Sequence, residues 1–252
     1  MENIWEKDTF LNDNIIYTFN KDIIEYDMKE AGFSLIQEYE LLPSDTISQL
    51  KKMSKDKRKI QIGKIQIKNE DLKSNLKLAF QDARHSFFVM NDIDENDVIS
   101  IKKDAIFVIK YCSHQEIGKH INFRPKHYYS SYIRLGKRLE LYYSPDDFSV
   151  KGIGDERTKL HNEYMIKFLR LYFKKMETSD SKTVIDFIRS FIDKYKSREL
   201  ALGFYRNFNE KSDFTIIGDD NKYMQYWEDE KDQVDISYNY FNILLKLIKI
   251  PL

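Results

Sequence analysis

A single cysteine, Cys112, stands in 252 residues, so neither an internal disulfide nor a thiolate zinc cluster can form. That usage suits a reducing compartment, and the expected location is cytoplasmic. Four prolines and eight glycines leave few places for a flexible boundary, and no internal repeat or low-complexity stretch marks one. Gly152 and Gly154 are too sparse for a phosphate loop, with no lysine of that motif following. No apolar run approaches the roughly 20 residues of a membrane span, and charges interrupt every hydrophobic stretch, so no membrane partner is expected. The segment Met1–Asp8 carries acids and no apolar core, unlike a signal peptide. Net charge is missing as well: 41 basic residues balance 41 acidic ones, and the field of the whole molecule does not announce nucleic-acid binding.

What is present is apolar mass. Hydrophobic residues make up 42%, including 17 Tyr and 17 Phe, enough for one sizeable core and against disorder. Charge is unevenly spread. From Lys51 to Lys68 there are eight Lys/Arg and one acid, Asp56, whereas Glu210 to Asp235 holds nine acids and three bases. The plain reading of both is a solvated surface. The sharper one is a phosphate-facing basic segment and an acidic tail that keeps other surface off nucleic acid.

The apolar period divides the chain into elements. Ile15–Phe19 and Ile23–Asp27 read as strands, with Asn20-Lys21 suited to a tight hairpin between them. Helical spacing follows from about Glu30 to Glu40. Pro43-Ser44-Asp45 ends that element, with Ser44 placed to cap a helix running through Ser54. A longer helix, about Glu70 to Met90, carries the stripe Leu72, Leu76, Ala79, Phe80, Ala83 and Phe87. Val98–Ile101 and Ile106–Ile109 then read as a hairpin that shares one antiparallel sheet with Ile23–Asp27, backed by the long helix. Further strands are expected at Tyr128–Leu135 and Leu139–Tyr143. Helical stripes follow through Leu160–Met176 and Thr183–Tyr195. The expected class is α+β: residues 1–153 as a mixed lobe, and 154–252 as a helical lobe with an acidic C-terminal region.

Two aspartates stand out by position. Asp27 ends a strand that feeds a helix, and Asp104 lies near a hairpin tip. In one sheet the two carboxylates emerge at the same edge, where they suit Mg²⁺, an ion that prefers oxygen ligands and leaves positions for phosphates. The plainer reading makes Asp27 a helix cap and Asp104 a turn residue. His114, His120 and His127 lie in strand-like segments without a helpful carboxylate and read as ordinary imidazoles. Cys112 reads as a buried small hydrophobe. Tyr128, Tyr129 and Tyr132 suit base stacking but fit strand packing better.

The segment Tyr26-Asp27-Met28-Lys29-Glu30-Ala31-Gly32-Phe33-Ser34-Leu35-Ile36 resembles the first palm motif of the B-family DNA polymerases, DxxSLYPSII. Asp27 matches its metal-binding aspartate and Ser34 its second serine. Ser100–Val108 is similar to the later palm motif, YGDTDSVFV, with Asp104 at its second aspartate. Val150-Lys151-Gly152-Ile153 with Arg157 looks like the KGIxxxRR stretch that opens the thumb. Gly136-Lys137-Arg138 with Tyr142 resembles, with looser spacing, the KKxY element that contacts the primer-template duplex. The matches keep the family's order from Ile15 to about Tyr172.

This resemblance implies a palm-like sheet with backing helices, fingers reduced to about residues 42–69, and a helical thumb-like lobe. It implies a metal-dependent nucleotidyltransferase in which Asp27 and Asp104 hold Mg²⁺ (or Mn²⁺). Lys55, Arg58 or Lys59 meets the nucleoside triphosphate. Lys137, Arg138, Tyr142, Lys151 and Arg157 track DNA or RNA. Gly32 stands where the family has the tyrosine that blocks a ribose 2′-hydroxyl, which implies relaxed sugar selectivity. The departures are equally specific. Lys102 replaces the first aspartate of the later motif, the fingers are drastically short, and no chain is left for an exonuclease. A protein partner completing the fingers is one expectation. A catalytically degenerate palm serving as a nucleic-acid-binding or partner-binding subunit is the alternative.

Overall fold

In the computed structural model the described residues are 3–135, 139–152, 155–197, 199 and 200, with 155–165 described by backbone alone. The fold is α+β. In chain order the elements are β1 (Thr9–Leu11), β2 (Tyr17–Met28), α1 (Ala31–Glu38), α2 (Ser44–Lys51), α3 (Lys55–Lys68) and α4 (Glu70–Met90). Next come β3 (Val98–Lys102), β4 (Ala105–Val108), β5 (Phe123–Leu135), β6 (Leu139–Tyr143) and β7 (Phe148–Lys151), then α5 (Asp155–Thr178) and α6 (Ser181–Lys196). The strands are ordered β1-β3-β4-β2-β5-β6-β7 in one sheet. The chain divides into two compact units: Met1–Ile15 with Lys21–Tyr128, and Ile16–Asn20 with Tyr129–Leu252.

The first unit is built on β1, β3, β4 and the C-terminal part of β2. Ile24 pairs with Val108, Tyr26 with Ile106, and Asp27 with Ala105, all antiparallel. Alternation along a strand then separates two faces. Ile24, Tyr26 and Met28 point to one side, where they share a buried cluster with Ile101, Ile106, Val108 and the α4 stripe. Every member of that stripe, from Leu72 to Phe87, is buried. The Asn69 side chain caps α4 by accepting from the Leu72 N–H at 2.9 Å. Glu25 and Asp27 point to the opposite side, away from the helix. That separation is what places the carboxylates on the face opposite the α4 core, where Glu25 and Phe107 are themselves buried.

The second unit repeats the scheme. In β5 and β6, Ile133 pairs with Leu141 and Leu135 with Leu139. These residues and Tyr143 share a core with Phe168, Leu169, Tyr172 and Phe173 of α5 and with Val184 and Ile188 of α6. Asp180 caps α6, accepting from the Thr183 N–H at 2.9 Å.

Several local expectations change. Asn20-Lys21 is not a hairpin: β2 runs unbroken through it, and Asn20 takes up a left-handed φ of 53° as a local irregularity. Asn is among the few residues that visit that conformation singly, so the strand continues past it without a turn. Ser44 lies inside α2, whose N-cap is Pro43. The basic run is itself a helix, α3, and β7 is an additional strand. Among the described residues no helix is long and apolar enough to cross a membrane.

Candidate metal and phosphate site

The two aspartates are neighbours through the sheet. Lys102 pairs with Ala105 across the β3–β4 hairpin, and Ala105 pairs with Asp27 on its other side. Directly paired residues project to the same face, so Asp27, Ala105 and Lys102 form one row. Asp104 is the second residue of the two-residue turn. The Met28 N–H donates to the Asp104 carbonyl at 2.9 Å, which fastens the turn to the end of β2. Glu25, two residues before Asp27 on the same face, is 1% exposed.

Burial raises the Asp27 carboxyl above its ordinary range; the Lys126 ammonium pulls it down, and the charge of Asp104 pushes it up again. Lys126 Nζ lies 3.8 Å from Asp27 Oδ1 and 3.7 Å from Glu25 Oε1. The local set is therefore mixed: oxygen donors of the kind Mg²⁺ takes, with an ammonium on two of them. The donor chemistry fits a hard divalent ion in kind. Lys126 must swing out to admit one, and at 45% side-chain exposure it has solvent to move into. Among the described residues no cluster of three or more His, Cys, Asp or Glu side chains is grouped to hold a metal.

A cleft of about 530 Å³ opens beside the turn that follows Asp27. Lys29, Lys51, Arg58 and Lys119 supply its cations, Glu30 and Glu116 its acids. Ser34, the motif serine, donates to the Lys29 carbonyl at 2.7 Å and so closes the first turn after β2. Arg58 reaches the cleft from α3 but is heavily engaged. Its guanidinium sits 3.1 Å from Glu30, donates to the Met53 carbonyl at 3.0 Å and lies 4.3 Å above the Phe33 ring. Its Nε is buried without a partner, as is Asn122 Oδ1 on the opposite wall. Lys55 and Lys59 are exposed on α3 and are not among the residues lining the cleft. Gly32 also lies outside the lining; a side chain there would point at Ile62 of α3, with Cγ2 at 3.9 Å.

The remaining residues implied by the resemblance lie in the second unit. Tyr142 is fully buried, donates to Glu140 at 2.8 Å and packs on the rings of Tyr129 and Tyr132. Lys151 ends β7, paired in register with Glu140. Lys137 and Arg138 lie outside the described residues, as does the side chain of Arg157. The acidic segment Glu210–Asp235 also falls outside them. Tyr128 is 57% exposed, while Tyr129 and Tyr132 are packed.

Sequence reasoning passed over Glu25, Lys126 and Lys119, and noted Lys51 only as the start of the basic run. Strand alternation alone could have found Glu25. Lys126 and Lys119 are brought in by contacts distant in sequence and carry no local signal.

Residues 1–252 match a protein family described as Bacteriophage PBS1 gene 130 protein. No curated protein matches the chain.

Proposed function

The chain belongs to the bacteriophage PBS1 gene 130 protein family, and for it we propose metal-dependent nucleotidyl transfer of polymerase type on nucleic acid. The observation that carries this reading is the adjacency of Asp27 and Asp104 at one end of neighbouring strands, beside a cleft rich in cations. Asp27 and Asp104 would hold Mg²⁺ or Mn²⁺, which when bound supplies Lewis-acid charge to phosphate oxygens. The chain's own contributions are distinct. β2 and the β3–β4 turn fix two carboxylates before any ion arrives, and Lys126 pairs with Asp27 meanwhile. Lys29, Lys51 and Lys119 offer charge to a nucleoside triphosphate. The reaction is attack of a 3′-hydroxyl on the α-phosphorus, with pyrophosphate leaving. DNA and RNA are both candidate templates, and a partner protein is the natural source of the missing fingers surface.

A second reading rests on its own observation. Lys126 already bridges Asp27 and Glu25, and Lys102 stands in the same row. Such a palm binds nucleic acid or a partner without catalysis.

Thermal melting with Mn²⁺ or Mg²⁺, with and without nucleoside triphosphate, separates the two. Catalysis requires a metal-dependent rise that Asp27→Asn and Asp104→Asn each abolish, because a ligand that binds only the native state must stabilise it. A melting curve indifferent to both ligands together sinks the catalytic reading, and salt-dependent DNA or RNA retention then supports the second.

A further inference from the structure

The turn that carries Asp104 is held from outside the hairpin. Lys103 has φ 59°, in the left-handed region that a residue with a Cβ enters only against steric strain. Both of its backbone polar groups are fastened. Its N–H donates to the Asp8 carbonyl at 2.7 Å, and its carbonyl accepts from Arg84 Nη1 at 2.9 Å. Arg84 is 0% exposed and sits on the buried stripe of α4. Its Nε donates to the Trp5 carbonyl at 2.7 Å, and its Nη2 lies 3.5 Å from Asp8 Oδ1. One planar guanidinium therefore ties the hairpin turn, the N-terminal segment and α4 together.

A fully buried charge with a half-exposed counter-ion is a poor way to gain stability, since desolvation offsets most of the attraction. A buried Arg whose fork reaches carbonyls in two separate segments instead fixes geometry. An uncommon backbone conformation held at both of its polar groups is the pattern expected where a turn must present one side chain in a set place.

We propose that Arg84 is a positioning residue: through the Lys103 carbonyl it holds the strained turn that presents Asp104 beside Asp27. This inference rests on the metal reading above for its purpose, but not for its geometry. Two readouts on the full chain keep the matters apart. The first is hydrogen exchange of the Met28 amide, which is bonded to the Asp104 carbonyl, with the α4 amides as internal reference. The second is Mn²⁺ affinity by electron paramagnetic resonance.

Arg84→Met is expected to speed Met28 exchange about tenfold relative to α4, the scale of one lost charge-assisted hydrogen bond, and to weaken Mn²⁺ binding by a similar factor. Lys103→Gly added to Arg84→Met should recover part of both, because glycine enters the left-handed region without strain. If Arg84→Met does not fold, Arg84→Lys decides. An ammonium cannot span both carbonyls, so Met28 exchange should still rise selectively. Unchanged Met28 protection in a folded Arg84 variant overturns the proposal, as does a rise shared equally with α4. A wild type that binds no Mn²⁺ removes the metal reading alone, leaving the exchange result to judge the clamp.

Discussion

At the scale of single residues, Lys126 and Cys112 make the sharpest statements. Lys126 lies on β5, 3.7–3.8 Å from Glu25 and Asp27, and competes directly with any divalent ion there. Lys126→Gln should tighten Mn²⁺ binding several-fold by removing that competitor, read from the same resonance titration. Equal or weaker binding would show that the ammonium helps to build the site instead. Cys112 is fully buried beside Tyr26, whose hydroxyl accepts from the Cys112 N–H at 2.8 Å. Burial pushes the thiol from 9.0 up to about 11. A folded pKa above the unfolded one means the folded state holds the proton more tightly. The associated stability is complete below about pH 9 and fades as pH climbs toward 11. Melting temperature should therefore fall over that range, and Cys112→Ala should flatten part of the slope. At pH 8 a disulfide reagent should label the thiol only as fast as the protein opens, because thiolate is the nucleophile.

At the scale of elements, the long helix and the hairpin were readable in advance, and the unbroken length of β2 was not. The α4 stripe repeats at three- and four-residue steps, a pattern only a helix can bury on one side. Leu76→Ala should accordingly cost about 2–5 kcal/mol, measured by urea unfolding, through lost transfer energy and a cavity in the core of the first unit. The β3–β4 hairpin shows the strand period on both arms. In β2, by contrast, Asn20 signals a turn and forms none. Its left-handed φ is compatible with either outcome, and only pairing through Tyr17–Met28 decides. Gly32 gives a second test. It sits in α1 without a positive φ, and an added Cβ would meet nothing closer than Ile62 at 3.9 Å. Gly32→Ala should stabilise the protein by about 0.5 kcal/mol, since alanine loses less backbone entropy in a helix. Destabilisation in the same unfolding experiment would show that the turn after β2 requires glycine.

At the scale of the molecule, the neutral balance of charge conceals a local field. The exposed lysines of α3 lie near the cations of the cleft in the first unit. If nucleic acid binds there, replacing Lys55 and Lys59 together by Gln should weaken binding similarly across sequences. It should also reduce the salt slope by roughly two counterions, as phosphate contacts do. An unchanged slope in a filter-binding titration would place the contact elsewhere.

The sequence by itself determined the α+β class, the hairpin that bears Asp104 and the two-faced strand that bears Asp27. Each is written in a period spanning a few neighbouring residues, and alternation alone sends Tyr26 into the core and Asp27 out of it. Tertiary structure decided what surrounds the two carboxylates. Lys126 reaches Glu25 and Asp27 across the sheet, and Arg84 reaches Trp5 over 79 residues. Such contacts depend on which strands become neighbours and on the depth to which a helix packs. No local pattern of residues encodes either.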